Sequence, residues 1–252
     1  MDVLDRLIEI LSGERGERPP QLLSEEDKAA YFRALCNVRP PEPVSKEFLR
    51  LQDRYLSALA EKRGSVDAAG LEYDRGTALW SGDITRLKAD AIVNACNPAL
   101  LGCFRPLHNC IDNAIHSFAG VQVRLDCAAM MKGGEEPNGR VKVTAAYNLP
   151  SKYVFHTVGP VVSGAVTEKG ENDLRSCYLS CLREADGRGL ATLAFCCIST
   201  GVYGYPKEEA CRLAVRTVRE YLADTKSGLK VVFDVFDDED ERLYERELEI
   251  RE

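Results

Sequence analysis

From about Leu71 onward, short β-branched runs alternate with amphipathic stretches of helical length, and that alternation constrains the fold more than any other feature of the chain. The runs are "TALWSG", "AIVNA", "RVKVTA", "KYVFHTVG", "LAFCCIS" and "LKVVFDVF"; the helical stretches fall at about 110–132, 171–187, 206–225 and 238–249. Strands separated by helices pair in a sheet covered on both faces, so the expected class is α/β with three layers, α/β/α. There is no internal repeat. The last stretch, "DDEDERLYERELEIRE", is highly charged, but Leu243, Tyr244, Leu248 and Ile250 give it an apolar side, which makes it a terminal helix rather than a tail.

Residues 1–63 read differently. Val3, Leu4, Leu7, Ile8 and Leu11 recur at helix spacing, and Ser24 with Asp27 three residues on signals the start of a second helix. Three prolines in "NVRPPEPV" break that helix, because each removes a donor and fixes φ. A third helix begins near Ser45, with Phe48, Leu51, Tyr55, Leu56 and Leu59 on one stripe. The chain is therefore expected to divide into a helical N-terminal extension, 1–70, and an α/β domain, 71–252. Short helices of this total length make a thin core alone, so the extension is expected to pack on the α/β domain.

Composition narrows the function. The 252 residues carry a formal charge of −7, which disfavours sequence-blind binding to a nucleic acid polymer, since that needs a positive footprint. A small anion is still admissible, because backbone N–H groups at a helix start can hold phosphate. No apolar run approaches a membrane span, and "MDVLDRLIEIL" lacks the continuous apolar core of a signal peptide. The expected compartment is the reducing cytoplasm, where ten cysteines pack, bind metal or react rather than form disulfides. Cys36, Cys127, Cys177, Cys181, Cys196, Cys197 and Cys211 read as small buried hydrophobes.

The remaining chemistry is concentrated in "GCFRPLHNCIDNAIH", residues 102–116, which holds two of the three histidines. Cys103, His108 and Cys110 form C-x4-H-x-C. Zinc favours thiolate and imidazole, and three clustered ligands with a vacancy are the pattern of a catalytic site. Two other readings fit the spacing: ordinary packing, or a closed structural site completed by a distant cysteine such as Cys36. His116 follows Asp112 by one helical turn and either orients it or fills a helix–sheet interface. His156, inside an apolar strand, reads as a core histidine.

Three polar loops come after predicted strands. In "CCISTGVYGYPKEEA", Gly201 and Gly204 either let the backbone turn its N–H groups toward an anion or make a plain turn joining strand to helix, and Pro206 fits the opening of a helix. "VNACNPALLGC" carries Asn94 and Asn97, whose commonest use is to cap turns. "SGDIT" carries Asp83, which could cap a local turn or accept from an exocyclic amine. In open α/β sheets such loops at the carboxyl ends of strands are where ligands bind.

"GDIT", "AIVNACN", "YNLPSKYVFHTVGP" and "ISTGVYGYP", in this order, resemble the macrodomain, an ADP-ribose-binding α/β/α module with a mixed central sheet; the likeness spans about residues 77–252. "GCFRPLHNC" resembles the zinc-dependent branch of that family, which also carries a helical N-terminal extension, whereas ordinary hydrolytic macrodomains have a glycine-rich run there. Cys96 stands where the common pattern has alanine, and Pro98 where it often has serine. The resemblance implies that Asp83 and Ile84 hold the adenine, with Asp83 at the amino group and Phe236 stacked on the ring. It further implies that Asn97 binds the distal ribose and that Ser199, Thr200, Gly201, Val202 and Tyr203 wrap the diphosphate and distal ribose. Asp112 falls where hydrolytic macrodomains place an aspartate near that ribose. Asp112 and Asn97 are the candidate catalytic residues; Cys103, His108 and Cys110 are the candidate ligands of a zinc cofactor.

The expected function is a zinc-dependent, monomeric hydrolase that removes mono-ADP-ribose from modified proteins, with acidic side-chain linkages as substrates. Zinc would polarise a ribose oxygen or activate water, and Asp112 would orient that water or act as base. The rival readings are a reader that binds ADP-ribose without cleaving it, and a zinc-stabilised interaction module whose N-terminal helices recruit a partner.

Overall fold

In a computed structural model, which describes residues 2–21 and 24–249, three helices precede the sheet: α1 (Val3–Glu14), α2 (Glu25–Val38) and α3 (Lys46–Arg63). Side-chain oxygens cap their N-termini. Ser24 Oγ accepts from Asp27 N at 3.0 Å, and Ser45 Oγ accepts from Phe48 N at 3.0 Å. Such caps satisfy donors that a helix leaves unpaired in its first turn.

The α/β part runs β1 (Val66–Asp67), β2 (Thr77–Ser81), β3 (Leu87–Lys88), β4 (Ala91–Ala95), α4 (Ile111–Ala119), α5 (Val121–Met131), β5 (Val141–Ala145), β6 (Tyr153–Thr157), α6 (Glu168–Gly187), β7 (Thr192–Phe195), α7 (Lys207–Thr225), β8 (Lys230–Val235) and α8 (Asp238–Leu248). Six strands form a mixed sheet in the order β2-β8-β7-β4-β6-β5, with β5 antiparallel to β6 and every other pair parallel. Helices flank both faces, giving the three expected layers. The inner strands read as continuous apolar runs because both faces are covered; Ile92, Val93, Phe155, Phe195 and Phe233 are all buried. Full burial of a side chain of that size contributes about 1.5–3 kcal/mol.

All six predicted strand segments lie in this sheet. The stretch 110–132 is two helices rather than one, broken at Gly120, whose φ is 104°. A Cβ there would fall 2.6 Å from Gln52 Nε2 on α3, so the break is also where the extension comes close. α6 begins at Glu168, a turn earlier than expected, because Thr167 caps it. Pro206 is the N-cap of α7 rather than its first helical residue. The short pair β1–β3 has no signal in the sequence pattern, and Ile250 lies outside the described residues. No described helix is long and apolar enough to cross a membrane.

The extension has its own small core of Leu7, Leu11, Phe32 and Phe48, to which α5 adds Val121. Arg124 of α5 joins the two parts. Its guanidinium donates to the carbonyls of Cys36 (2.8 Å), Arg39 (2.5 Å) and Asn37 (3.0 Å) at the end of α2, and to that of Leu101 (2.7 Å). Carbonyls at a helix C-terminus have no intrahelical partner, so one buried cation serves several at once. At the sheet, His156 is fully buried; its Nδ1 lies 3.2 Å from Asn94 Nδ2 and its Nε2 lies 2.9 Å from Thr144 Oγ1.

Arg124→Met keeps the aliphatic stem but leaves those buried carbonyls unpaired. A loss of about 3–5 kcal/mol is expected, read from the urea midpoint. For His156, burial pushes the pKa from its usual 6.5 to about 3. The unfolded chain takes up that proton near pH 6.5 while the folded chain refuses it down to about 3, so stability is complete above the upper value and is lost as the pH falls through the interval. His156→Gln should flatten the acid limb of stability measured by thermal unfolding between pH 7 and 4.

Candidate functional site

The loops after β2, β4, β7 and β8 leave the carboxyl ends of parallel strands and therefore meet at one edge of the sheet. They enclose a cavity of about 560 Å³. All thirteen candidate residues line it: Asp83, Ile84, Asn97, Cys103, His108, Cys110, Asp112, Ser199, Thr200, Gly201, Val202, Tyr203 and Phe236.

At one end, Asp83 caps a single 3-10 turn, Ile84–Arg86. Its Oδ1 accepts from Thr85 N at 3.0 Å and from Thr85 Oγ1 at 2.6 Å, while its Oδ2 pairs with Arg63 of α3. The Arg63 guanidinium lies 3.8 Å from the ring centre of Phe118. Ile84 is buried. Phe236 comes just after the end of β8 rather than belonging to it, and at 72% exposure its ring is free to face a ligand.

The loop from Ser199 to Tyr203 rises between β7 and α7. Ser199 has φ 68°, and its buried Oγ has no hydrogen-bond partner among the described residues. Gly204 N donates to Gly201 O (3.0 Å) and Tyr205 N to Ser199 O (3.0 Å), which closes the turn, while Val202 stands 76% exposed at its tip. Gly159 underlies it: a Cβ there would fall 2.0 Å from Ser199 Oγ and 2.8 Å from Ile198 Cγ2, so any larger residue would displace those side chains.

The cysteine–histidine loop is wound by left-handed residues at Leu100 (φ 60°), Gly102 (82°), Phe104 (49°) and Leu107 (54°). Asn97 fastens its start: Nδ2 donates to Gly102 O at 2.8 Å and Oδ1 accepts from Ala99 N at 3.1 Å. Its carboxamide thus builds the loop while also lining the cavity. The winding brings the ligand atoms of Cys103, His108 and Cys110 within 4.8 Å of one another. Zinc holds sulfur at about 2.3 Å and imidazole nitrogen at about 2.0 Å, so this trio can converge on one ion. The donor set suits that metal, and His108 Nδ1 is buried with no hydrogen-bond partner, as a nitrogen awaiting a ligand would be. Among the described residues no fourth side chain joins the group. Cys36, on α2, is not part of this group.

Asp112 sits in the first turn of α4 beside the trio, 5% exposed. Its Oδ1 accepts from Asn94 Nδ2 at 2.9 Å, and no described donor reaches Oδ2. Burial raises its pKa to about 6, against the lowering effects of the Asn94 bond and of Arg124. His116 Nε2 lies 3.4 Å from Asp112 Oδ1, but neither ring nitrogen makes a hydrogen bond, and burial keeps the imidazole neutral. It fills the interface.

Two contributors escape sequence reasoning because they come from elements distant in the chain. Arg33 of α2 lines the cavity and donates to Asn113 Oδ1 (2.8 Å) and Ser117 Oγ (3.1 Å). Asn113 Nδ2 in turn donates to Arg105 O (2.9 Å) and lies 3.5 Å from Cys103 Sγ. The extension therefore steadies the cysteine–histidine loop through α4. Asp234 of β8 is the second; its side chain lines the cavity and is almost wholly buried.

Arg33→Ala should raise amide hydrogen exchange across residues 103–113 while leaving the sheet protected. The loss of charge-assisted bonds costs about 1.5–3 kcal/mol locally.

Known proteins share this sequence and fold. A family model described as "Macro domain" matches residues 93–214. The chain is 49% identical over 248 residues, 96% of its length and 93% of the relative's, to a protein of Staphylococcus aureus (strain MRSA252) named "Protein-ADP-ribose hydrolase". It is 48% identical over 229 residues, 88% of each chain, to a Treponema medium protein of the same name. Among solved structures, the Trypanosoma brucei macrodomain in complex with ADP superposes with a TM-score of 0.65 at 30% identity, over 98% of this chain and 97% of that one. Fold, cavity and these likenesses together place the chain in the macrodomain family.

Proposed function

We propose that this chain hydrolyses the bond between a single ADP-ribose unit and a protein side chain, with ester linkages to Asp or Glu as substrates. The observation that carries the reading is one cavity holding a diphosphate-sized glycine loop, a buried carboxyl and a cysteine–histidine trio. The names of the Staphylococcus and Treponema relatives support it.

The residues divide the work by position. Phe236 and Ile84 sandwich the base, while backbone N–H groups of Ser199–Tyr203 hold the diphosphate, as suits a chain of net charge −7. Anchoring the nucleotide makes cleavage an oriented event. Cys103, His108 and Cys110 would hold zinc. Bound there, it would supply positive charge near the distal ribose, where the transition state redistributes charge.

Asp112 acts as base through Oδ2, the oxygen free of protein donors, with Asn94 fixing Oδ1. Water adds to the anomeric carbon, its proton passes to Asp112, and the acceptor carboxylate leaves with the electrons of the broken C–O bond. A carboxylate needs no proton to leave, which suits a site where Asp112 is the carboxyl beside the trio.

The test uses protein freshly isolated without chelator and a target mono-ADP-ribosylated on glutamate. Release of ADP-ribose should fall at least about a hundredfold with Asp112→Asn, by the usual worth of a general base, and should likewise fail with Cys103→Ala or after chelation. ADP-ribose affinity should change only a few-fold. Release that ignores chelator and Cys103→Ala would remove zinc from the reaction, and tight ADP-ribose binding with no release from any acceptor would make the chain a reader. Unfolding on metal removal would instead point to a structural ion.

A further inference from the structure

The exposed apolar surface of this chain is concentrated around the mouth of the cavity. Of the seven large apolar side chains that stand exposed among the described residues, five belong to loops at the carboxyl edge of the sheet: Phe104, Leu107, Val161, Val202 and Phe236. Val202 and Phe236 line the cavity, where a bound nucleotide would cover them. Phe104 and Leu107 do not; they stand on the rim beside Cys103, Arg105 and His108, which do. Residues 104–107 are exposed without a break. Yet the segment is fastened from outside. Leu107 N donates to Asn37 Oδ1 of α2 at 2.9 Å, Arg105 O accepts from Asn113 Nδ2 of α4 at 2.9 Å, and the Arg124 guanidinium lies 4.6 Å from the Phe104 ring centre. Left-handed backbone at both Phe104 and Leu107 adds strain. A strained, anchored run that leaves a phenylalanine and a leucine in water is the kind of surface that a partner covers.

Charge and size identify the partner. Arg33 and Arg105 are the two arginines that line the cavity. Arg33 is spent on Asn113 and Ser117, whereas of Arg105 only the carbonyl is engaged among the described residues, and its side chain is exposed. In a chain of formal charge −7, a free cation beside the trio suits an anionic surface. A cavity of about 560 Å³ takes a nucleotide but not a folded protein, so a protein joined to the distal ribose must rest against the rim nearest the trio. We propose that residues 104–107 are the docking surface for the ADP-ribosylated protein, with Phe104 and Leu107 covering apolar side chains on it and Arg105 pairing with a carboxylate next to the modified residue. This docking rests on the reading above, which puts the distal ribose at the trio. It narrows the substrate class to acceptors in an acidic neighbourhood. A surface already fastened in place loses little freedom on binding, which lets a small patch discriminate.

The probes are free ADP-ribose and two short peptides carrying ADP-ribose on a glutamine, whose amide replaces the ester with a poorer leaving group. Both peptides hold a leucine near the glutamine; one has acidic neighbours and the other their amide counterparts. Affinities are measured by calorimetry for wild type, Arg105→Glu and Leu107→Asn, all isolated without chelator, with melting temperatures for each. Asparagine tolerates left-handed backbone, so Leu107→Asn removes the apolar side chain and keeps the course of the loop. Wild type should bind the acidic peptide about tenfold more tightly than free ADP-ribose, and added salt should narrow that margin. Arg105→Glu should abolish the preference for acidic over neutral peptide, and Leu107→Asn should weaken both peptides about fivefold. Both variants should keep the wild-type melting temperature and bind free ADP-ribose within about twofold of wild type, which separates lost docking from a damaged cavity. Peptides that bind no better than ADP-ribose, or an acidic preference that survives Arg105→Glu, overturn the proposal while leaving the nucleotide site intact. So does a Leu107→Asn loss that is equal for free ADP-ribose. Self-association in sedimentation that Leu107→Asn abolishes would assign the surface to a second copy of the chain instead. Wild-type protein that binds neither ADP-ribose nor the peptides overturns the docking and the nucleotide reading together.

Discussion

Parallel strands cannot be joined by tight turns, and that constraint organises this molecule. Each crossover must carry the chain back to the same end of the sheet, so every strand-to-helix loop is delivered to one edge. Four such loops, far apart in sequence, become neighbours without any contact between them being needed to bring them together. The packed sheet beneath is rigid, with Ile92, Val93, Phe155 and Phe233 excluded from solvent, and it holds the loop ends at set distances. Chemistry can then be confined to the loops while the strands remain almost wholly apolar.

The exceptions to that apolar rule are informative. Asn94, His156, Asp112 and Asp234 are polar groups buried in or against the sheet. Asn94 Nδ2 reaches both His156 Nδ1 and Asp112 Oδ1, so the candidate base is held by a strand of the core itself. Rigidity of this kind lets a carboxyl keep a raised pKa, because the surroundings do not relax to admit water.

Legibility tracks the range of the interaction. Strands, helix caps and the Cys103–His108–Cys110 cluster are local patterns, and all are readable because period, capping and ligand spacing are written within a few residues. The binding loops are readable from glycine placement and from family motifs. What stays hidden depends on partners far along the chain. Gly120 breaks a helix at the point where Gln52, on α3, comes close to it. Asn97, by contrast, fastens its own loop through near neighbours, a use that its residue type already suggests. Arg33 and Asp234 lie in an amphipathic helix and an apolar strand, where a charge normally means a solvated face or an interruption. Only the assembled cavity gives either of them a role.

The loop carrying the trio has a further consequence. Leu100, Phe104 and Leu107 all take left-handed backbone angles that side-chain-bearing residues avoid, at a cost on the order of 1 kcal/mol or more each. The segment is thus a spring held compressed by latches at either end, with Asn97 on one side and the Arg33–Asn113 linkage on the other. Through Arg33 and Asn113 the helical extension therefore shares in keeping the thiols and the imidazole turned toward one another.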